Sequence, residues 1–402
     1  MGDFNQTVIL DAIRRSRGGI SRVELSEVTG LSAQSLTTIA RQLIAAGLVR
    51  EGSREPAIGR GKPRTLIRLD PEGQFAVGVH LDPAVITYVL LDLTGRTIAH
   101  VRRPTPKTAA PKPIIKRMAM EIDRLVEVSG IDRTRLVGVG IAAPGPIDID
   151  RGIVVDPPNL DGWRHVPLRD ALREAVGLPV LLDKDVTAAA AAQKWSSQGQ
   201  ADSADFCFFY LGTGVGAGVV LHGEVVRGAS YNVGEIGHFI ADADGPDCEC
   251  GKRGCIGESS QPRYLVQQGV AAGVLEPVDP TDRQGLEQAV QLLLAAATEG
   301  DPAAQGVVGT LVTRIISVAA DLANLLDLEL VIFGGPRWVG LEPFFDAQRA
   351  HDLDRLFVAR KIHRLALAGT DLGADVGAVG AATLVLDHTF STNPAVLLIG
   401  RS

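Results

Sequence analysis

Apolar positions first recur at helical spacing near the front of the chain. Val8, Ile9, Ala12 and Ile13 share one face of a helix over residues 5–16. Ser21 and Glu24 form an S-x-x-E pair, the signature of a capping box, which predicts a second helix through Val28. Thr29-Gly30-Leu31 reads as a tight turn. Ser32 then caps a third helix with Leu36, Ile39, Leu43 and Ile44 inward, ended by Gly47. Helix, short glycine turn, helix is a helix-turn-helix pattern. Beyond Gly47 the pattern becomes extended. Residues 48–52 and 64–69 predict a hairpin with Gly59-Arg60-Gly61-Lys62-Pro63-Arg64 at its tip, so residues 1–72 read as a winged helix.

The polar side of this module suggests its chemistry. Gln34, Ser35, Thr37 and Thr38 lie at the start of the third helix, with Arg41 a turn later. Short polar side chains there suit base edges and phosphates in a major groove. Arg60, Lys62 and Arg64 at the wing suit phosphates or the minor groove. A three-helix dimerisation domain is the competing reading.

After a short linker at 70–73, strands are predicted at 75–81, 84–91 and 96–102, then a helix at 113–128 and a buried strand at 136–142. A similar opening recurs at 205–211, 215–221 and 224–227. Two such units predict a duplicated α/β fold. One lobe spans 73–195, completed by 385–402, and the other spans 196–384.

With 402 residues and 46% hydrophobic content, the chain can bury more than one core. Residues 1–70 carry eleven Lys/Arg against seven Asp/Glu, a balance of +4, while the remainder stands at −11. A basic front on an acidic body points to a polyanion at the front only. No run of 18 apolar residues and no signal-peptide pattern are present, which predicts a soluble, cytoplasmic protein without a membrane partner. Three of the four cysteines are clustered, which argues against a disulfide framework.

That cluster lies within residues 234–258, GEIGHFIADADGPDCECGKRGCIGE. His238, Cys248, Cys250 and Cys255 make a complete tetrahedral N/S set for Zn²⁺, with no position left open for catalysis, so the metal is expected to be structural. Gly251 and Gly254 supply the backbone dihedrals such a knuckle needs. Free thiols in a surface loop are the alternative.

Glu235-Ile236-Gly237-His238 followed by this loop resembles the ROK family of repressors and sugar kinases. The resemblance extends from residue 6 to about residue 390. It takes in Gly140-Ile141-Ala142-Ala143-Pro144-Gly145-Pro146, Pro158-Asn159-Leu160, Leu182-Asp183-Lys184-Asp185-Val186-Thr187-Ala188-Ala189, the hairpin at 211–216 and Ile332-Phe333-Gly334-Gly335. It implies an N-terminal winged helix-turn-helix followed by an actin-like, ribonuclease H-like α/β fold whose interlobe cleft takes a sugar. By the same resemblance Asn159, Glu235 and His238 face that sugar, His238 also serving the metal, and Asp185 stands at the kinase base position.

Departures from the family pattern narrow this reading. Where ROK kinases carry D-x-G-G-T around the ATP phosphates, this chain has His80-Leu81-Asp82-Pro83-Ala84. Proline offers no N–H, and Asp82 brings negative charge to a phosphate site. The expected function is therefore a sugar-responsive transcriptional regulator, read as a repressor, that binds operator DNA as a homodimer or homotetramer and is not an enzyme. An ATP-dependent sugar kinase is the alternative, and a nucleic-acid-binding zinc knuckle a remote third. Lys184 and Thr187 replace asparagines around Asp185. Lys184 either biases the pocket toward an anionic effector, such as a sugar phosphate or sugar acid, or only pairs with Asp183 or Asp185 or points to solvent. Gly257 stands where the family has a glutamate, with Glu258 one position later as a candidate substitute.

Overall fold

The computed structural model describes residues 2–16, 18–55, 64–106, 110–158, 160, 162–196 and 205–390. The chain divides into two compact units, residues 1–202 with 377–402, and residues 203–376.

The first unit opens with α1 (Gly2–Arg15), β1 (Ile20–Ser21), α2 (Arg22–Thr29), α3 (Ala33–Ala45), β2 (Val49–Glu55) and β3 (Arg64–Leu69). Ile9, Ile13, Leu25, Leu36 and Leu43 are fully buried between the three helices. Ile44, expected inward, is exposed. The buried stripe of α3 runs through Leu36, Ile39, Ala40 and Leu43, and Ile44 lies just past its edge. The capping box forms as read: the Glu24 N–H donates to Ser21 Oγ, and the Ser21 N–H donates to the Glu24 carboxylate at 2.8 Å. That backbone bond leads in holding the Glu24 carboxyl below its ordinary value. The stabilisation from this ionised cap is present above the usual glutamate range and fades only as pH falls through the lowered value. Residues 20–21, not predicted as a strand, add to the hairpin to give the sheet order β1-β3-β2.

The rest of the unit is a three-layer α/β lobe. It contains β4 (Phe75–Leu81), β5 (Val85–Asp92), β6 (Thr97–Pro104), α4 (Pro111–Val128), β7 (Leu136–Ala143), β8 (Ile147–Asp148), β9 (Ile153–Val154), α5 (Leu168–Val176), β10 (Val180–Lys184) and α6 (Asp185–Ser196). The sheet order is β10-β7-β4-β5-β6, with β4, β7 and β10 mutually parallel and the β4–β5–β6 meander antiparallel. On one face Val77, Val79, Ile141 and Leu182 pack with Met118 and Ile122 of α4 and with Leu168 and Leu172 of α5. The other face is built from small residues. A Cβ on Gly78 or Gly140 would lie within 1.9 Å or 1.8 Å of a backbone oxygen of the C-terminal helix, at Ala378 or Ala381. Only glycine lets that helix sit so near the strands.

The second unit repeats the plan. It runs β11 (Phe206–Leu211), β12 (Val215–Leu221), β13 (Glu224–Val226), α7 (Ile256–Ser259), α8 (Pro262–Ala271), α9 (Arg283–Thr298), α10 (Pro302–Leu326), β14 (Leu330–Gly334), α11 (Trp338–Leu341), α12 (Ala347–Leu356) and β15 (Ala366–Gly369). The order β13-β12-β11-β14-β15 again joins an antiparallel meander to parallel strands. The chain returns to the first unit through α13 (Val376–Phe390). Among the described residues α10 alone is long and apolar enough to cross a membrane. Its Val308, Leu311, Val312, Ile315 and Ile316 fill the core of the second unit.

Candidate metal centre and binding residues

In the second unit the ligand atoms of His238, Cys248, Cys250 and Cys255 lie within 4.8 Å of one another. His238 Nδ1 is 3.6 Å from Cys248 Sγ, and Cys250 Sγ is 3.6 Å from Cys255 Sγ. Zinc–sulfur and zinc–nitrogen bonds of about 2.3 and 2.0 Å give tetrahedral edges of about 3.5–3.8 Å, so this set fits a four-coordinate metal. The loop is shaped for it. The Cys248 N–H donates to Lys252 O, and the Gly251 N–H donates to Cys248 O. Gly251 and Gly254 both have positive φ, +85° and +75°. A Cβ at Gly254 would sit 1.5 Å from Asp242 O. Gly254→Ala should therefore open the loop and lower bound metal, a result that metal analysis of the purified variant would check. Asp242 in turn pairs with Arg314 of α10, which anchors the loop to the core.

Burial pushes the Cys255 thiol up to about 12, and the neighbouring thiols add to this. A cation is what would stabilise a thiolate there. Nδ1 is the ring nitrogen that His238 turns to Cys248 Sγ. Glu235 precedes the Ile236–His238 turn and is exposed. Glu258 pairs with Arg263. At Gly257 a Cβ would be 2.8 Å from Gly237 O, so the two backbones approach closely there.

In the first unit, three parallel strands end together. His80 is in register with Ala142, Asp183 with Ala142, and Lys184 with Ala143. Ligands of open α/β sheets gather at such carboxyl ends. Asp185 opens α6 here and accepts the Val186 N–H at 2.7 Å. Desolvation raises its carboxyl, opposed by the charges of His80 and Lys184. Lys184 is buried, and its charge acts to lower the Asp185 carboxyl. Thr187 is fully buried, and its Oγ1 has no hydrogen-bond partner among the described residues. Asp82 closes its own loop: its carboxylate accepts the N–H of Ala84 at 2.7 Å and of Val85 at 3.4 Å, and its carbonyl accepts Thr105 Oγ1–H. Sequence reasoning read Asp82 as a repulsive charge; the structure adds that it occupies the amides itself. Asn159 lies outside the described residues.

On α3, Gln34, Thr37, Thr38 and Arg41 are exposed. Thr37 and Thr38 donate back to Ala33 O and Gln34 O. Ser35 is half-buried and belongs to the cap, with its N–H on Ser32 Oγ. Arg64 pairs with Glu24. Arg60 and Lys62 lie outside the described residues. Arg50 and Arg68, which the sequence reading missed, face each other across β2 and β3 and are both exposed. Two exposed guanidinium groups side by side on a hairpin suit contacts to phosphates. The readable signal was their shared place in an alternating hairpin.

A family model described as ROK family matches residues 76–388, and one described as MarR family matches residues 3–60. The chain is 31% identical over 319 residues to a glucokinase of Halalkalibacterium halodurans, covering 77% of this chain and 94% of that protein. It is 26% identical over 367 residues to the xylose repressor of Caldicellulosiruptor bescii, covering 89% of each. A crystal structure of a ROK family transcriptional regulator, described as a homologue of the E. coli MLC protein, matches with a TM-score of 0.78 at 25% identity over 99% of this chain and 98% of that one. With the ROK match spanning most of its length behind a MarR-type winged helix, the chain belongs to the ROK family.

Proposed function

We propose that the protein is a sugar-responsive transcriptional regulator, acting as a repressor in the cytoplasm. The observation that carries this is the winged helix-turn-helix itself, with the exposed polar start of α3 and the opposed Arg50–Arg68 pair. The xylose repressor match runs through this module, whereas the glucokinase match covers a smaller share of the chain. We assign DNA binding to residues 1–72, the first ROK lobe to 73–195 with a C-terminal segment that starts at 377 rather than 385, because α13 packs on the first unit's sheet, and the second lobe to 196–376. Gln34 and Ser35 read bases, with Thr37, Thr38 and Arg41 beside them. Arg50, Arg68, Arg60, Lys62 and Arg64 serve phosphates. Asp185, Lys184 and Asn159 on one side of the duplication, and Glu235, His238 and Glu258 on the other, recognise sugar hydroxyls. A structural Zn²⁺ on His238, Cys248, Cys250 and Cys255 orients His238 and Glu235. Two-fold operators call for a dimer or a dimer of dimers.

The likeness to a glucokinase and the position of Asp185 favour a sugar kinase as the second reading. Against it, Asp82 fills the amides that would meet ATP phosphates. Phosphoryl transfer depends on positioning and neutralising those phosphates. Incubation with ATP, Mg²⁺ and a monosaccharide panel should yield no sugar phosphate; turnover of about 1 s⁻¹ or faster would establish the kinase. A thermal-shift screen of sugars, amino sugars, polyols and their phosphates tests the effector reading, since a ligand of the folded state raises Tm. A screen in which no such compound shifts Tm contradicts it.

A further inference from the structure

Helix α6 begins at Asp185 and ends beside the winged helix. Its last turn carries Trp195, whose ring centroid is 4.1 Å from the Arg14 guanidinium carbon of α1. The helical rise from Asp185 to Trp195 is about 15 Å. Every residue from Val186 to Gln193 is buried. The helix is seated without slack: Ala142, Ala188 and Ala381 make one small-residue contact, and a Cβ on Gly380 of α13 would be 2.0 Å from Ala188 O. A helix clamped in this way shifts as a body.

The far end is equally defined. Gly95, at φ +83° in the turn between β5 and β6, lies against Trp195, where a Cβ would be 2.5 Å from the indole Nε1. On the opposite partner, the Arg14 side chain is 7% exposed. Asp11 accepts from its Nε at 3.2 Å and its Nη2 at 2.5 Å, while Nη1 is buried with no hydrogen-bond partner among the described residues. One donor is unmatched and the guanidinium face rests on an indole, so the contact is specific in geometry but easily shifted. Arg14 belongs to α1, which packs on α2 and α3.

We propose that α6 couples Asp185 to the DNA-binding module through the Arg14–Trp195 contact, with both side chains acting as positioning residues for α1 and through it for α3. The proposal rests on the regulator reading above. A ligand that engages Asp185 moves the start of α6, and Trp195 delivers that movement to Arg14.

Hydrogen exchange on the full-length chain tests this without any ligand. Asp185→Asn should change the exchange of α1 amides by about threefold or more in the wild-type and Trp195→Phe backgrounds, and by under about 1.5-fold in Trp195→Leu. Phenylalanine keeps an aromatic face for the cation, so its rescue separates the contact from mere bulk. An equal change with leucine, or no change at α1 in the wild-type background, overturns the proposal. If Trp195→Leu does not fold, Arg14→Gln takes its place, since it removes the cation and keeps the ring. DNA binding is measured separately: a wild type that selects no duplex from a random library refutes the regulator reading and leaves the exchange result standing.

Discussion

Cys250→Ser is expected to reduce zinc from one per chain to a small fraction of that, and to weaken sugar binding about tenfold or more. Cys250 is exposed, so the substitution leaves the core unchanged and the loss reports on the metal. Apart from the Asp242–Arg314 anchor, the loop is held by backbone bonds and by the contacts of Lys252 with His238 O and Arg253 with Gly245 O, and its positive-φ glycines favour the unfolded chain entropically. Without zinc, the loop should also become the first segment cut by protease. Metal analysis and calorimetry on wild type and variant would check both losses. Full zinc occupancy in Cys250→Ser, or undiminished sugar binding after complete loss of zinc, would contradict the assignment.

The second large effect is expected at the winged helix. Affinity for a selected duplex should fall steeply with salt, and each lost phosphate contact should lower the log–log slope by about 0.9. The Arg50→Ala, Arg68→Ala pair should weaken all sequences alike and flatten that slope. Gln34→Ala should instead alter sequence preference, by about 1–3 kcal/mol at one base pair. Anisotropy titrations at several salt concentrations separate the two classes. A double variant with wild-type affinity and slope would remove Arg50 and Arg68 from the interface.

Much of the architecture was legible because it is local. The strands at 75–81 and 215–221 are short apolar runs bounded by turn residues, and they appear with those limits. The metal set was legible because all four ligands fall within 18 consecutive residues, 238–255. What was not legible is long-range. Two residues at Ile20–Ser21 carry no periodicity, and their strand exists only because β3 offers an edge. Ile44 fits a helical stripe on paper, but the width of the α3 interface decides which flank is covered. Asp82 has the composition of a defect in a phosphate loop, and only coordinates show its carboxylate on the amides of Ala84 and Val85. Trp195 and Arg14 are far apart in sequence, and neither sits in a motif.

The most direct test of the account is the affinity of the full-length protein for its selected duplex, measured by anisotropy with and without each sugar that raises Tm. Coupling between the two sites predicts that at least one sugar changes that affinity by about fivefold or more, without ATP and without being consumed. An affinity unchanged by every sugar, together with ATP-dependent conversion of one of them, would contradict it.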